Sequence, residues 1–96
     1  MARFDVHRGD PGWLVDVQSE MTWQLPTRVV VPLLPAAKVP VASTLNPIFI
    51  IDEGRYALMT ELLAAVPIRA LGRVRHSLAH EREAITRALD LLFTGF

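Results

Sequence analysis

A repeating apolar face marks the last stretch of the chain, from Leu78 to Phe96. Its apolar residues recur at the spacings of one side of an α-helix, and they are Leu78, Ile85, Ala88, Leu89 and Leu92. The charged residues fall mostly on the other side, and they are Glu81, Arg82, Glu83, Arg87 and Asp90. Ser77 is the best N-cap candidate, and Gly95 is a suitable helix stop. The pattern therefore predicts a C-terminal helix with one face in the core. Either its other face is a recognition surface, or the helix only closes a small β domain.

Side chains that alternate between two faces predict two strands at the start of the chain. In the segment Arg3–Arg8, Phe4 and Val6 share one face, and in Trp13–Ser19 the same holds for Val15 and Val17. The segment Gly9-Asp10-Pro11-Gly12 between them is a strong turn signal. Asp16 lies among apolar residues and is expected on the solvated outer face, with a buried acceptor as the alternative.

The remaining predicted elements are mostly strands and restrained loops. Trp23 lies in a loop from Glu20 to Thr27, where an exposed indole is a hint of a binding surface. A buried strand is predicted at Arg28–Leu33, in which Pro32 marks an edge, a bulge or the end of the strand. A loop, Leu34–Pro47, follows, with one short strand near Val39–Ala42. The remaining predictions are a hairpin of Ile48–Ile51 and Arg55–Thr60, a helical turn at Glu61–Val66 and a last strand Ile68–Leu71. The sum is five or more antiparallel strands and one C-terminal helix, arranged as a partly open barrel that the helix packs.

Length and composition narrow the classes of function. The chain has 96 residues, which predicts one domain, and the 51% hydrophobic content leaves surplus apolar surface for a homo-oligomer. Ten basic and ten acidic residues give no net charge, which argues against nucleic-acid binding by bulk electrostatics. The absence of cysteine fits the cytosol. Neither a signal peptide nor a membrane span is predicted, because the N-terminus is charged and Pro40 and Pro47 break the longest uncharged stretch.

Candidate chemistry in the sequence is weak. His76 and His80 are four apart and could share a helix face, but zinc needs a third ligand, and a solvated face is the plainer interpretation. Arg73, Arg75 and His76 could hold a phosphate or an acidic partner, or could be a charged helix entrance. No serine lies in a nucleophile-elbow setting, and no glycine-rich phosphate loop occurs. We therefore predict no catalytic site, no metal and no cofactor.

Several segments, in their order and spacing, resemble the CcdB family of bacterial toxins from toxin–antitoxin pairs. The segments are Leu14–Ser19, Arg28–Leu33, Leu45-Asn46-Pro47, Leu58-Met59-Thr60, Ala65-Val66-Pro67 and His80–Phe96. The resemblance runs nearly end to end. It implies an SH3-like, partly open barrel with a five-stranded antiparallel sheet, a smaller second sheet and a C-terminal helix.

The resemblance also implies a function and partners. Family members are homodimeric, non-enzymatic toxins that bind the DNA gyrase A subunit and trap the cleaved DNA complex. Carried over by position, the gyrase-binding residues are Arg82, Glu83, Arg87, Thr94, Gly95 and Phe96. The cognate antitoxin is expected near the first hairpin, at Arg8, Asp10 and Trp13.

One departure from the family keeps two other functions open. A well-known member ends in Trp-Gly-Ile, whereas this chain ends in Thr94, Gly95 and Phe96. Threonine offers less apolar area than tryptophan, and Phe96 compensates in part. The alternatives are a ribonuclease toxin of the related barrel class, for which Arg28, Arg73 and His76 are the loose candidates, and a CcdB-like binding protein that no longer poisons gyrase.

Overall fold

Seven antiparallel strands and one helix make up the computed structural model, which describes residues 2–95. Their bounds are β1 Asp5–Arg8, β2 Trp13–Asp16, β3 Thr27–Pro35, β4 Ile48–Ile51, β5 Gly54–Leu58, β6 Ala64–Pro67, β7 Val74–Ser77 and α1 Arg82–Thr94. The strands join in the order β4-β5-β3-β2-β1-β7, and β6 branches from β3. A mainly β fold with one C-terminal helix is thus confirmed. The sheet has seven strands instead of five, and β6 belongs to it as a branch instead of forming a second sheet.

The long strand β3 is the centre of the sheet. It pairs with β2 on one side, and on the other side with β6 through 27–30 and with β5 through 33–35. Pro32 lies where these two partners change over, so it is neither at an edge nor at the strand's end. Its carbonyl accepts from the Met59 amide at 2.9 Å. The N and the carbonyl of one strand residue face the same side, so the missing N–H takes no hydrogen bond from the pairing of β3 with β2.

Tight turns close the two predicted hairpins. In the first, the Gly9 amide donates to the Gly12 carbonyl at 2.8 Å, and a Cβ at Gly12 would collide with the Leu33 carbonyl oxygen. In the second, Asp52 and Glu53 have φ of 51° and 69° between the paired Ile51 and Gly54. Two left-handed residues in succession are the geometry of a type I′ turn, whose twist matches that of the flanking strands.

The apolar face predicted for the C-terminal helix packs on the core. Ile85 and Ala88 are fully buried, Leu78 is 4% exposed, and Leu89 packs against the same cluster. From the sheet, the cluster receives inward residues of the first three strands, among them Val6, Val15, Val31 and Leu33, and it also receives Val17, directly after β2. The predicted apolar face of these two strands is therefore confirmed, but His7 and Asp16 on the opposite face are buried as well. The strands are also shorter than predicted: β1 begins only at Asp5, because Phe4 has a φ of 73°, and β2 ends at Asp16.

The sheet curls until its two edges approach each other over Trp13. His76 of β7 lies 3.4 Å from Asp52 of the β4–β5 turn, measured from Nε2 to Oδ2. Beneath them the Trp13 ring contacts His76 and Tyr56 edge-on, with centroid separations of 5.0 and 6.4 Å. Side chains, and not backbone hydrogen bonds, therefore close this half-barrel.

Four local predictions are wrong. No strand forms at 39–42, where prolines and a loop anchored by Asn46 replace it. The segment 61–66 continues from a 3₁₀ turn into β6, and 68–71 contains a 3₁₀ turn in place of the last strand. That last strand is β7, an exposed edge whose residues Val74–Ser77 lack apolar alternation. The helix then begins at Arg82 instead of Leu78, because a 3₁₀ turn, Ala79–Glu81, comes first.

Candidate protein-interaction surface

The outer face of α1 presents charge of both signs to solvent. Arg82, Glu83, Arg87 and Asp90 are all exposed, while the buried residues on the opposite side anchor the helix to the sheet. Glu83 and Arg87 are spaced for an ion pair, but within residues 2–95 neither side chain lies within 4.0 Å of an opposite charge. Both side chains are therefore available to a partner. The structure thus brings together three of the residues that the resemblance assigns to gyrase binding.

A shallow depression of about 160 Å³ lies between α1 and the loop before β4. Its walls are Ser43, Thr44 and Pro47 on the loop and Ala84 and Arg87 on the helix. Arg87 therefore lies both on the outer face of α1 and at the rim of a concave surface.

The loop that forms one wall of this depression is held by hydrogen bonds from buried polar side chains. Asn46 Oδ1 accepts from the Ala42 amide at 2.9 Å, and its Nδ2 donates to the Leu58 carbonyl at 3.1 Å and to Glu61 Oε1 at 2.7 Å. Thr60 Oγ1 donates to the Leu45 carbonyl at 2.6 Å. These bonds connect two of the segments that carry the family resemblance, 45–47 and 58–60.

The C-terminal end of α1 is exposed and ends as predicted. Gly95 has a φ of 81°, and its amide donates to the Leu91 carbonyl at 3.1 Å. Thr94 Oγ1 donates to the Asp90 carbonyl at 2.7 Å, so the hydroxyl is used within the helix. Phe96, which the resemblance assigns to gyrase binding, lies outside the described residues.

Phe93 is an exposed apolar residue at this end that the sequence reasoning missed. It is 68% exposed although it stands four residues after Leu89, where the helical period places a core residue. The sequence placed it two residues before the predicted stop at Gly95, where a helix end is commonly exposed. Beside Thr94, it supplies an aromatic surface at the exposed end of α1.

A second exposed apolar group lies on the loop between β2 and β3. Met21 is 87% exposed, Trp23 67% and Leu25 49%. The exposure expected of Trp23 is confirmed. A 3₁₀ turn, Glu20–Thr22, shapes the loop, and Ser19 caps it by accepting from the Met21 amide at 3.1 Å.

Asp16 is buried, so its expected place on a solvated face is wrong. It has no exposed area and accepts from Arg28 twice, from Nε at 2.8 Å and from Nη2 at 3.0 Å. Arg28 is itself only 1% exposed. A paired and hydrogen-bonded carboxylate can be buried where a single one cannot. Arg28 is thus fully engaged and cannot serve as an RNA-cleaving group on the surface.

The residues assigned to the antitoxin have different environments. Arg8 and Asp10 are exposed, whereas Trp13 is only 5% exposed, as expected of a packed residue. The Arg8 guanidinium carbon lies 5.2 Å from the centre of the Trp13 ring and covers it. A partner therefore meets Arg8 and Asp10 directly, and reaches Trp13 only if its neighbours move.

The histidines do not form a metal site. His76 lies on β7 and His80 in the 3₁₀ turn before α1, so the two do not share a helix face. His7 is fully buried, with Nδ1 2.8 Å from the Gly72 carbonyl oxygen. Within residues 2–95, no group of three or more histidine, aspartate or glutamate side chains could hold a metal ion. Across the same residues, no helix is long and apolar enough to cross a membrane.

A curled antiparallel sheet and one C-terminal helix with an exposed charged face define a small, mainly β fold. A comparison with family models agrees: residues 3–95 match the model described as CcdB protein. The match covers nearly the whole chain, and the chain belongs to the CcdB family. Family membership supports a toxin of a toxin–antitoxin pair.

Proposed function

We propose that this protein is a toxin that binds the DNA gyrase A subunit and traps the gyrase–DNA cleavage complex. In this proposal the whole chain, 1–96, is one toxin domain without catalytic activity, and a cognate antitoxin neutralises it. The single observation that carries the proposal is the CcdB family match over residues 3–95.

The composition of the α1 surface supports a protein partner. Arg82, Glu83 and Arg87 are exposed and form no ion pair with any residue that the structure describes, and Phe93 supplies an exposed ring at the far end of the same helix. Arginine and aromatic residues are the types that carry most of the binding free energy in protein interfaces. Thr94 and Gly95 lie directly after Phe93, so the exposed end of α1 forms the apolar part of the proposed gyrase contact.

The exposed apolar surface supports a homodimer. Large apolar side chains on several elements face solvent in the single chain, among them Ile50 at 70% and Leu62 at 50%. Ala64 and Ala65 on the short branch strand β6 are exposed as well. Surface of this kind favours association with a second copy.

The first hairpin is the proposed antitoxin site. Its turn offers the opposite charges of Arg8 and Asp10, both exposed. An antitoxin segment that lies along this turn can pair with both charges, and it gains the Trp13 ring if it displaces Arg8.

Inhibition of supercoiling by purified protein tests the proposal. We expect the toxin to stop supercoiling by gyrase and to leave linear DNA after denaturation, the product of a trapped cleavage complex. Arg87→Glu tests the contact, and Arg55→Glu on the exposed face of β5 is its matched control. The proposal is wrong if the folded wild-type protein leaves gyrase fully active at saturating concentration.

Deletion of 94–96 tests the contribution of the C-terminal end. It should abolish inhibition while the circular dichroism spectrum and the dimer are retained. Persistent inhibition by this variant would exclude the C-terminal residues from the contact.

A further inference from the structure

The two ends of the curled sheet are joined by an ionisable contact. β4 and β7 stand at opposite ends of the strand order. His76 of β7 and Asp52 of the β4–β5 turn nevertheless face each other, with 3.4 Å between Nε2 and Oδ2. The His76 side chain is 33% exposed and that of Asp52 is 68% exposed. Solvent therefore reaches this pair, the His76–Asp52 clasp, and His76 can gain or lose a proton.

Trp13 lies beneath the clasp. Its ring contacts the His76 ring edge-on at a centroid separation of 5.0 Å, and the residue is only 5% exposed. Arg8 covers the same ring, with its guanidinium carbon 5.2 Å from the ring centre. The clasp and Arg8 together therefore separate the indole from solvent.

The covered position of Trp13 leaves one polar group unsatisfied. Its Nε1–H is buried and has no acceptor in the part of the chain that the structure describes. A buried donor without a partner is unfavourable, and water would accept from it if the clasp opened. Burial of the ring favours the closed clasp, whereas the unsatisfied N–H favours an open one. A contact as weak as an exposed ion pair can therefore shift the balance.

Histidine is the member of the clasp that changes charge near neutral pH. An imidazole ordinarily gains its proton between about pH 8 and pH 5, whereas an aspartate stays ionised over that range. The other ionisable groups around Trp13 and the turn are Arg8 of β1, Tyr56 of β5 and Glu53 beside Asp52. Residues of these three types ordinarily keep their charge over the same range.

The strands on either side of this point do not change that assignment. On β1 the residue opposite His76 is the apolar Val6, and His7 points to the other face of the sheet, with Nδ1 2.8 Å from the Gly72 carbonyl oxygen. On β7 itself His76 follows Arg75, a residue type that stays charged. His76 is therefore the group through which pH acts on the clasp.

We propose that the His76–Asp52 clasp is a pH-sensitive gate over Trp13, which closes when His76 is protonated and loosens when His76 is neutral. An imidazolium and the Asp52 carboxylate attract each other across the two ends of the sheet, whereas a neutral imidazole carries no net charge to attract. Access to Trp13 therefore rises with pH. Under the proposed function, the partner that gains this access is an antitoxin at the first hairpin, and only this identity rests on that function.

Quenching of Trp13 fluorescence by acrylamide measures access to the indole. The chain has two tryptophans, so Trp23→Phe leaves Trp13 as the sole fluorophore. Acrylamide is uncharged, and rate constants taken from fluorescence lifetimes correct for quenching by the imidazolium itself. We expect the rate constant to be about twofold or more higher at about pH 8 than at about pH 5.5.

Substitutions in the clasp separate charge from shape. In the Trp23→Phe protein, Asp52→Asn removes the anion and suits the left-handed φ of 51°, so the difference between the two pH values should be lost. His76→Asn should also lose it, whereas His76→Arg supplies a permanent cation and should give slow quenching at both pH values. A merely structural role of the pair would change quenching equally at both.

The inference and the proposed function fail in different ways. Equal quenching of Trp13 at the two pH values before any clasp substitution overturns the inference. An undiminished difference in folded Asp52→Asn or His76→Asn overturns it as well, so either variant is sufficient if the other does not fold. None of these measurements involves gyrase or an antitoxin. If the protein leaves supercoiling unaffected, the proposed function fails and the quenching data alone decide on the gate.

Discussion

Charged side chains have opposite environments in two regions of the molecule, the junction of β2 and β3 and the outer face of α1. At the junction, Asp16 and Arg28 are sealed from solvent and satisfy each other through two hydrogen bonds. On α1, Glu83 and Arg87 are exposed, and neither is paired with a charge in the part of the chain that the structure describes. Charges of the first kind stabilise one conformation, and charges of the second kind can be used by a partner. The comparison teaches that a buried, satisfied ion pair is not free for a partner, which leaves the exposed charges of α1 as the candidates.

The largest effect should follow from breaking the buried ion pair. Arg28→Ala leaves the Asp16 carboxylate buried without its partner, and loss of one member of such a pair destabilises by about 3–5 kcal/mol. Urea unfolding followed by circular dichroism measures this loss. A change within error of zero would mean that water reaches Asp16 and that the pair is not sealed.

The inner face of α1 should be nearly as sensitive. Ile85 is fully buried in the core cluster, so Ile85→Ala should destabilise by about 2–5 kcal/mol through lost burial and a residual cavity. The same unfolding assay applies, and Val74→Ala on the exposed edge strand β7 is the control. Equal effects of the two substitutions would contradict the assigned orientation of the strands and helix.

The loop beside α1 should respond less. Asn46→Ala removes hydrogen bonds to Leu58 and Glu61 and leaves the buried Leu58 carbonyl with only a long bond of 3.5 Å from Thr60 Oγ1, which costs about 1–3 kcal/mol. We also expect faster amide exchange at Ala42, whose N–H is bonded to Asn46 Oδ1. Unchanged exchange at that amide would show that the loop is held by other contacts.

The smallest effect on stability should come from the outer face of α1. Arg87→Glu reverses an exposed charge, so the urea midpoint should not move, whereas affinity for the gyrase A subunit should fall at least about tenfold. Isothermal titration calorimetry measures the affinity, with Arg55→Glu as the control. A shifted midpoint with unchanged affinity would place Arg87 among the structural charges.

Elements with strong local periodicity could be predicted from the sequence. The inner face of α1 and the alternation of β1 and β2 depend on residues close together in the chain, and the Asp52–Gly54 turn has its own local signal. The edge strand β7 could not be predicted, because its residues are mostly exposed and carry no alternation. The same holds for the place of Pro32, which depends on β5 and β6 meeting along β3.

The candidate site was predictable only in part, for a similar reason. Exposure of Arg82, Glu83 and Arg87 follows from the helical period. Burial of Asp16 does not, because it requires Arg28 from the neighbouring strand at a fixed register. The segments of family resemblance that contain these two residues are hydrogen-bonded to each other, which gives a physical reason for their occurrence together.

The central claim is that the exposed charges of α1 bind gyrase and the buried charges of the sheet do not. Trapping of cleaved DNA by gyrase, titrated with wild-type, Arg87→Glu and Arg55→Glu protein, tests it most directly. We predict linear DNA with the wild type and Arg55→Glu at equal concentrations, and with Arg87→Glu only at concentrations at least about tenfold higher. Equal activity of all three folded proteins, or none from the wild type, would contradict the claim.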